Sequence, residues 1–122
     1  MLLPRSFGRK LFDAFESKGQ LCVGVDAHAS LLEHWGLDDD VNGLDYFSNS
    51  VIDAASGQVG IIKPQVSFFE RHGSAGFAVL ERITHRANDA GLVVIADAKR
   101  GDIGSTMDAY LDAWLGRKSP FF

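Results

Sequence analysis

Cysteine is almost missing from this chain: Cys22 stands alone among 122 residues, so no disulfide framework can form and a reduced, cytoplasmic setting is expected. Its place inside "LCVGV" reads as a core position. Long apolar runs are missing too. No stretch approaches the roughly 18 apolar residues of a membrane span, and the opening "MLLPRSFGRK" lacks the apolar segment of a signal peptide, so no membrane partner is expected. Basic charge is not in excess either, with 12 Lys and Arg scattered against 16 Asp and Glu for a net charge of −4. That balance argues against a nucleic-acid partner, which would call for a basic face. The four histidines, His28, His34, His72 and His85, show no HxxxH or HxxH spacing, so no metal is assigned. There is no G-x-S-x-G elbow and no Walker loop before "GRKS".

What is present is a pattern. With 46% hydrophobic and 23% charged residues, the chain reads as one globular domain. "SFGRKLFDAFESKG" predicts a helix capped by Ser6 and closed by Gly19, with Phe7, Leu11, Phe12 and Phe15 at helical spacing. "LCVGVD" is a short run apolar on both faces, as strands of a covered parallel sheet are. A loop through "SLLEHWG" and "DDD" leads to a helix over "GLDYFSNSVIDAA", with Leu44, Phe47, Val51 and Ala55 on one face. Then come a strand at "VGIIKPQ", a helix at "SAGFAVLERITHRANDAG" and a strand at "LVVIADAK". The last helix, "STMDAYLDAWLG", carries a Ser105-x-x-Asp108 capping pattern and a stripe of Met107, Tyr110, Leu111, Trp114 and Leu115. Gly73 and Gly76 in "HGSAG" read as a turn and helix start rather than a phosphate cradle. Strand and helix alternate with the period of a βα unit, which means a parallel α/β sheet, either open and doubly wound or part of a (β/α)8 barrel.

In both architectures the ligand site lies beyond the carboxyl ends of the strands. All three strands here end in charge, at Asp26, at Lys63, and at the Asp97/Lys99 pair, with Asp102 just beyond. Asp97 and Lys99, two apart on a strand, are expected to face one spot. An ion-pair cluster that merely ties off a strand is the plain alternative. Several charges converging at a sheet end are costly to desolvate, which favours function. A lysine held between carboxylates suits a proton donor or a stabiliser of a developing carbanion. An aspartate set against a substrate carboxylate favours its departure as carbon dioxide. Decarboxylation or proton transfer is the expected chemistry.

The stretch Asp97-x-Lys99-x-x-Asp102-Ile103-Gly104-x-Thr106 resembles the signature of the orotidine 5′-phosphate decarboxylase family. "CVGVD", "IIKPQVSFFE" and "HGSAGFAVLE" resemble its longer bacterial form, from about residue 5 to residue 115. The resemblance implies a cofactor-free (β/α)8 barrel that converts orotidine 5′-phosphate to uridine 5′-phosphate in pyrimidine biosynthesis, as a homodimer. It further implies that Lys99 protonates the pyrimidine carbon and that Asp97 sits by the departing carboxylate. Asp102, Ile103 and Thr106 would reach into the partner subunit's site, while Asp26 and Lys63 would bind the ribose and hold the charged network.

Two departures stand out. The family usually reads Asp-Pro-His at the first strand end, where this chain has Asp26-Ala27-His28. A (β/α)8 barrel takes about 250 residues, so residues 1–122 are expected to form a single incomplete domain, the N-terminal part of a barrel with about three βα units. On this reading the loops that grip the substrate phosphate are not in the chain, and the "RKSPFF" tail marks a truncation or boundary. An unpaired sheet edge would then leave the chain poorly stable or self-associating, with little activity alone. Two alternatives remain: a non-catalytic fragment or small α/β binding domain, and a magnesium-dependent sugar-phosphate decarboxylase or synthase.

Overall fold

A computed structural model of the chain describes residues 5–122. The first four residues, at the start of the segment that lacks a signal peptide's apolar stretch, lie outside them. Helix α1 (Phe7–Lys18) begins where the Ser6 side chain accepts the Arg9 N–H and ends at Gly19, whose φ of 79° is open to glycine. Three parallel strands follow in sequential order, β1 (Cys22–Val25), β2 (Ile61–Pro64) and β3 (Val93–Val94). Between them run α2 (Ala29–His34), α3 (Val41–Ala55), α4 (Ser67–Glu70) and α5 (Gly73–Asp89), and α6 (Gly104–Leu115) comes last.

The register decides what each sheet face carries. Cys22 lies beside Ile61 and Ile61 beside Val93, while Val23, Ile62 and Val94 form the next row. Side chains alternate along a strand, so these rows face opposite ways. The Val23–Ile62–Val94 face is covered by the helices, in a core that includes Leu32, Leu44, Phe47, Ile52, Phe69 and Ile83. Ile61 and Val93, on the other face, meet α1 through Ala14, Leu11 and Phe15. Gly60 makes that approach possible, because a Cβ there would lie 2.9 Å from the Ala14 Cβ.

Several expectations need correction. Cys22 is exposed, not a core residue: it sits on β1, an edge strand, while α1 packs on Ile61 of β2 and Val93 of β3. "SLLEHWG" is not a loop but holds most of α2, capped by the His28 Nδ1, which accepts the Leu31 N–H at 3.2 Å. The four-residue α4 was not anticipated. A Cβ at Gly76 would lie 1.8 Å from the Phe69 carbonyl oxygen, so Gly76 serves a close helix contact. Ser105 does not cap α6, which starts at Gly104 after an extended Ile103 and has no side-chain cap. Its apolar stripe is only partly covered, with Leu111 39% and Leu115 67% exposed. The tail folds back: Phe121 stacks on Trp114 at 4.7 Å, and the His85 Nε2 and the Pro120 carbonyl are 2.8 Å apart.

Candidate active site

The third strand continues as a ladder past its regular part. The Ile95 N–H reaches the Ile62 carbonyl, the Asp97 N–H reaches Pro64, and the Val66 N–H reaches the Asp97 carbonyl. Gln65 and Asp97 form an isolated parallel bridge. The pairing therefore delivers Lys63, Gln65 and Asp97 to the carboxyl end of the sheet on one face, that of Ile61 and Val93.

There the charges meet. The Lys99 Nζ is 2.7 Å from one Asp97 carboxylate oxygen, and the Lys63 Nζ is 4.0 Å from the other. Lys99 also donates to the Gln65 Oε1 at 3.3 Å. Asp97 is the best covered of the three charges, its side chain 25% exposed against 46% for Lys63 and 67% for Lys99. The hydrogen bond from Lys99 holds the Asp97 carboxyl below the usual carboxylate value, against the opposing effect of desolvation. The charges of Lys99 and Lys63 and a hydrogen bond from Gln65 act in the same direction as that bond.

One detail corrects the sequence reading. Strand alternation is not what brings Lys99 to Asp97, because Lys99 has a φ of 52°, the left-handed region that side chains rarely enter. The turn is held by Arg100, which donates to the Ala98 carbonyl at 2.6 Å and to Glu70 of α4 at 2.5 Å. Among the described residues one carboxylate, that of Asp97, contacts Lys99. Asp97 lies between two lysines, giving two cations to one anion at an open sheet end, a field suited to an anionic ligand.

The other expected residues stand apart from this cluster. Asp26 is exposed one residue beyond β1, and its carboxylate folds back over Gly24, where a Cβ would lie 3.2 Å from Oδ1. It forms no ion pair with Lys63 or Lys99 among the described residues. Ala27, where the family usually has proline, is fully buried. Asp102 turns to its own chain, accepting the Ile103 N–H at 2.8 Å. Ile103 is 84% exposed, and Thr106 lies exposed in the first turn of α6. Gln65 was missed by the sequence reading because it carries no charge. The signal that could have found it is its position two residues beyond Lys63 on the same face. Among the described residues no three His, Cys, Asp or Glu side chains gather closely enough to hold a metal ion, and no helix is long and apolar enough to cross a membrane.

Comparison with known proteins adds to this geometry. Residues 19–119 match the family model described as orotidine 5′-phosphate decarboxylase / HUMPS family. An orotidine 5′-phosphate decarboxylase of Streptomyces coelicolor is 53% identical over 116 residues, covering 95% of this chain and 42% of the relative. One of Corynebacterium glutamicum is 51% identical over 115 residues, covering 94% of this chain and 41% of the relative. Among solved structures, a Streptomyces avermitilis protein named provisionally as an orotidine 5′-phosphate decarboxylase superposes with a TM-score of 0.95 at 53% identity, over 99% of this chain and 42% of that one. Leishmania donovani OMP decarboxylase superposes with a TM-score of 0.71 at 30% identity, over 95% of this chain and 42% of that one. The parallel sheet and its helices are thus part of a (β/α)8 barrel, and the open doubly wound alternative falls. The chain spans about two fifths of the length of the relatives it matches.

Proposed function

The chain belongs to the orotidine 5′-phosphate decarboxylase / HUMPS family, and we propose that residues 1–122 form the N-terminal part of a barrel supplying the charged centre of an orotidine 5′-phosphate decarboxylase. The observation that carries this reading is the 2.7 Å contact of Lys99 with Asp97, with Lys63 on the other side of the same carboxylate.

In this reaction the bond between the pyrimidine ring and its carboxylate breaks, and the electron pair stays on the ring carbon while carbon dioxide leaves. Asp97, set against the substrate carboxylate, disfavours the bound ground state. The Lys99 ammonium offsets the negative charge that develops on the carbon and then gives it a proton, yielding uridine 5′-phosphate. The neutral amine regains its proton from solvent. Lys63 and Asp26 take the ribose hydroxyls. Asp102, Ile103 and Thr106, all exposed at the start of α6, suit a contact with a second copy, in which Asp102 would complete the charged network of the partner's site. No cofactor is needed, because the ammonium supplies both the electrostatic stabilisation and the proton. A small anionic metabolite as substrate and a lone thiol fit a cytoplasmic enzyme.

The test is the loss of orotidine 5′-phosphate absorbance. It is measured with the chain as it stands and with the remaining portion of the S. coelicolor relative supplied in trans. Turnover is expected in the second case, and Lys99→Ala should remove it by at least about a hundredfold. Turnover in neither case, or turnover indifferent to Lys99→Ala, refutes the assignment.

A further inference from the structure

Gln65 belongs to none of the roles given above, yet it touches both members of the central pair. Its backbone is fixed on two sides, by the N–H bond to the Val25 carbonyl and by the bridge to Asp97. Its Oε1 accepts from the Lys99 Nζ at 3.3 Å, and its amide is among the groups that hold the Asp97 carboxyl low. Only a neutral amide of this length serves both neighbours at once: leucine offers neither function, and glutamate accepts but does not donate.

An ammonium group has three N–H bonds at fixed angles. Held by Asp97 alone, it could spin about that single contact, and the Lys99 side chain is two-thirds exposed. Held by Asp97 and Gln65 together, two N–H directions are fixed, and the third is thereby fixed as well. We propose that Gln65 is a positioning residue for the decarboxylation described above, aiming the one free N–H of Lys99 at the substrate carbon. The inference rests on that reading of the site.

The test compares Gln65→Leu and Gln65→Glu with the unaltered protein. The first readout needs no turnover: the side-chain carboxyl carbons of Asp97 and Asp39 are followed by NMR through an acid titration of the whole chain. Asp39 is the internal reference, because its carboxyl is held low chiefly by a hydrogen bond from Arg71, away from the site. Gln65→Leu should move the Asp97 midpoint up and leave Asp39 unmoved, and Gln65→Glu should move Asp97 further up by adding a negative neighbour. The second readout is kinetic, in the complemented form. Gln65→Leu should lower kcat on the order of tenfold to a hundredfold, as misplacement of a reacting group does, with KM little changed. Gln65→Glu, which keeps an acceptor for Lys99, should recover much of that loss.

Unchanged Asp97 titration and kcat in Gln65→Leu overturn the proposal. So does a joint shift of Asp97 and Asp39, which would mark a general loosening of the fold. Unaltered protein without turnover refutes the decarboxylase reading itself and takes this inference with it. Turnover that ignores Gln65→Leu removes only the inference.

Discussion

Replacing Gly76 with alanine should destabilise the fold by forcing α4 away from α5. The new Cβ would lie 1.8 Å from the Phe69 carbonyl oxygen, 2.8 Å from the Phe69 carbonyl carbon and 2.9 Å from the His72 Cβ. Two of these are backbone atoms, so no rotamer change relieves the clash, and α4 must move from α5 by more than about 1 Å to reach ordinary contact. Phe69 is fully buried, so the movement opens a gap beside a large side chain and forfeits part of its dispersion energy. Overpacking of this kind costs about 3 kcal/mol, against a gain of about 0.5–1 kcal/mol for alanine over glycine inside a helix. A net loss of about 2 kcal/mol is a large share of the roughly 5–15 kcal/mol that holds a domain together. Urea unfolding of the whole chain, followed by circular dichroism, reads this directly. Gly8→Ala is the control, because nothing lies within 4 Å of a Cβ in that position of α1, and it should be neutral or slightly stabilising. A Gly76→Ala protein within about 0.5 kcal/mol of the unaltered chain would refute the close-contact argument. The consequence for the site is also measurable, since α4 carries Glu70, the partner of Arg100 in the turn that presents Lys99.

Asp97 and Asp39 both have carboxyls held below their ordinary value by a basic partner, Lys99 and Arg71 respectively. A carboxyl lowered in the folded state adds stability above its unfolded value, near pH 4, and that stability is lost as the pH falls through the lower folded value. The melting temperature should therefore drop between about pH 5 and pH 2, and Asp97→Asn should flatten part of that slope; an unchanged slope would contradict the pairing. Phe121→Ala should loosen the far end of α6 by removing the stack on Trp114. For a half-buried ring the cost is about 1–2 kcal/mol, and a red shift of tryptophan fluorescence is the measurement that checks it.

The α1 helix was legible because both of its signals are local: a serine cap and a glycine whose positive φ closes it. The strands were legible from runs apolar on both faces, which only a sheet covered on two sides produces. By contrast, α2 and α4 span six and four residues, too few for a 3.6-residue period to show, and a histidine cap is not a usual start signal. The position of Cys22 depends on which strand is the edge, a property of the whole sheet. At the candidate site, charge alone located Asp97, Lys99 and Lys63. Their arrangement was not legible, because it depends on a left-handed backbone at Lys99 and on the inter-strand bridge of Gln65 to Asp97. Asp26 and Asp102 share the charge pattern but stand away from the cluster.

The backbone of Lys99 has a further consequence for how the chain can change. A φ of 52° is one that glycine adopts freely and that costs an ordinary residue about 1 kcal/mol. On the function proposed above, folding and chemistry pull in opposite directions at this position. Lys99→Gly would relax the turn and remove the proposed proton donor in the same step, so a lineage released from that reaction would have an easy exit there. The lysine at residue 99 is a place where an inactive descendant would first give itself away.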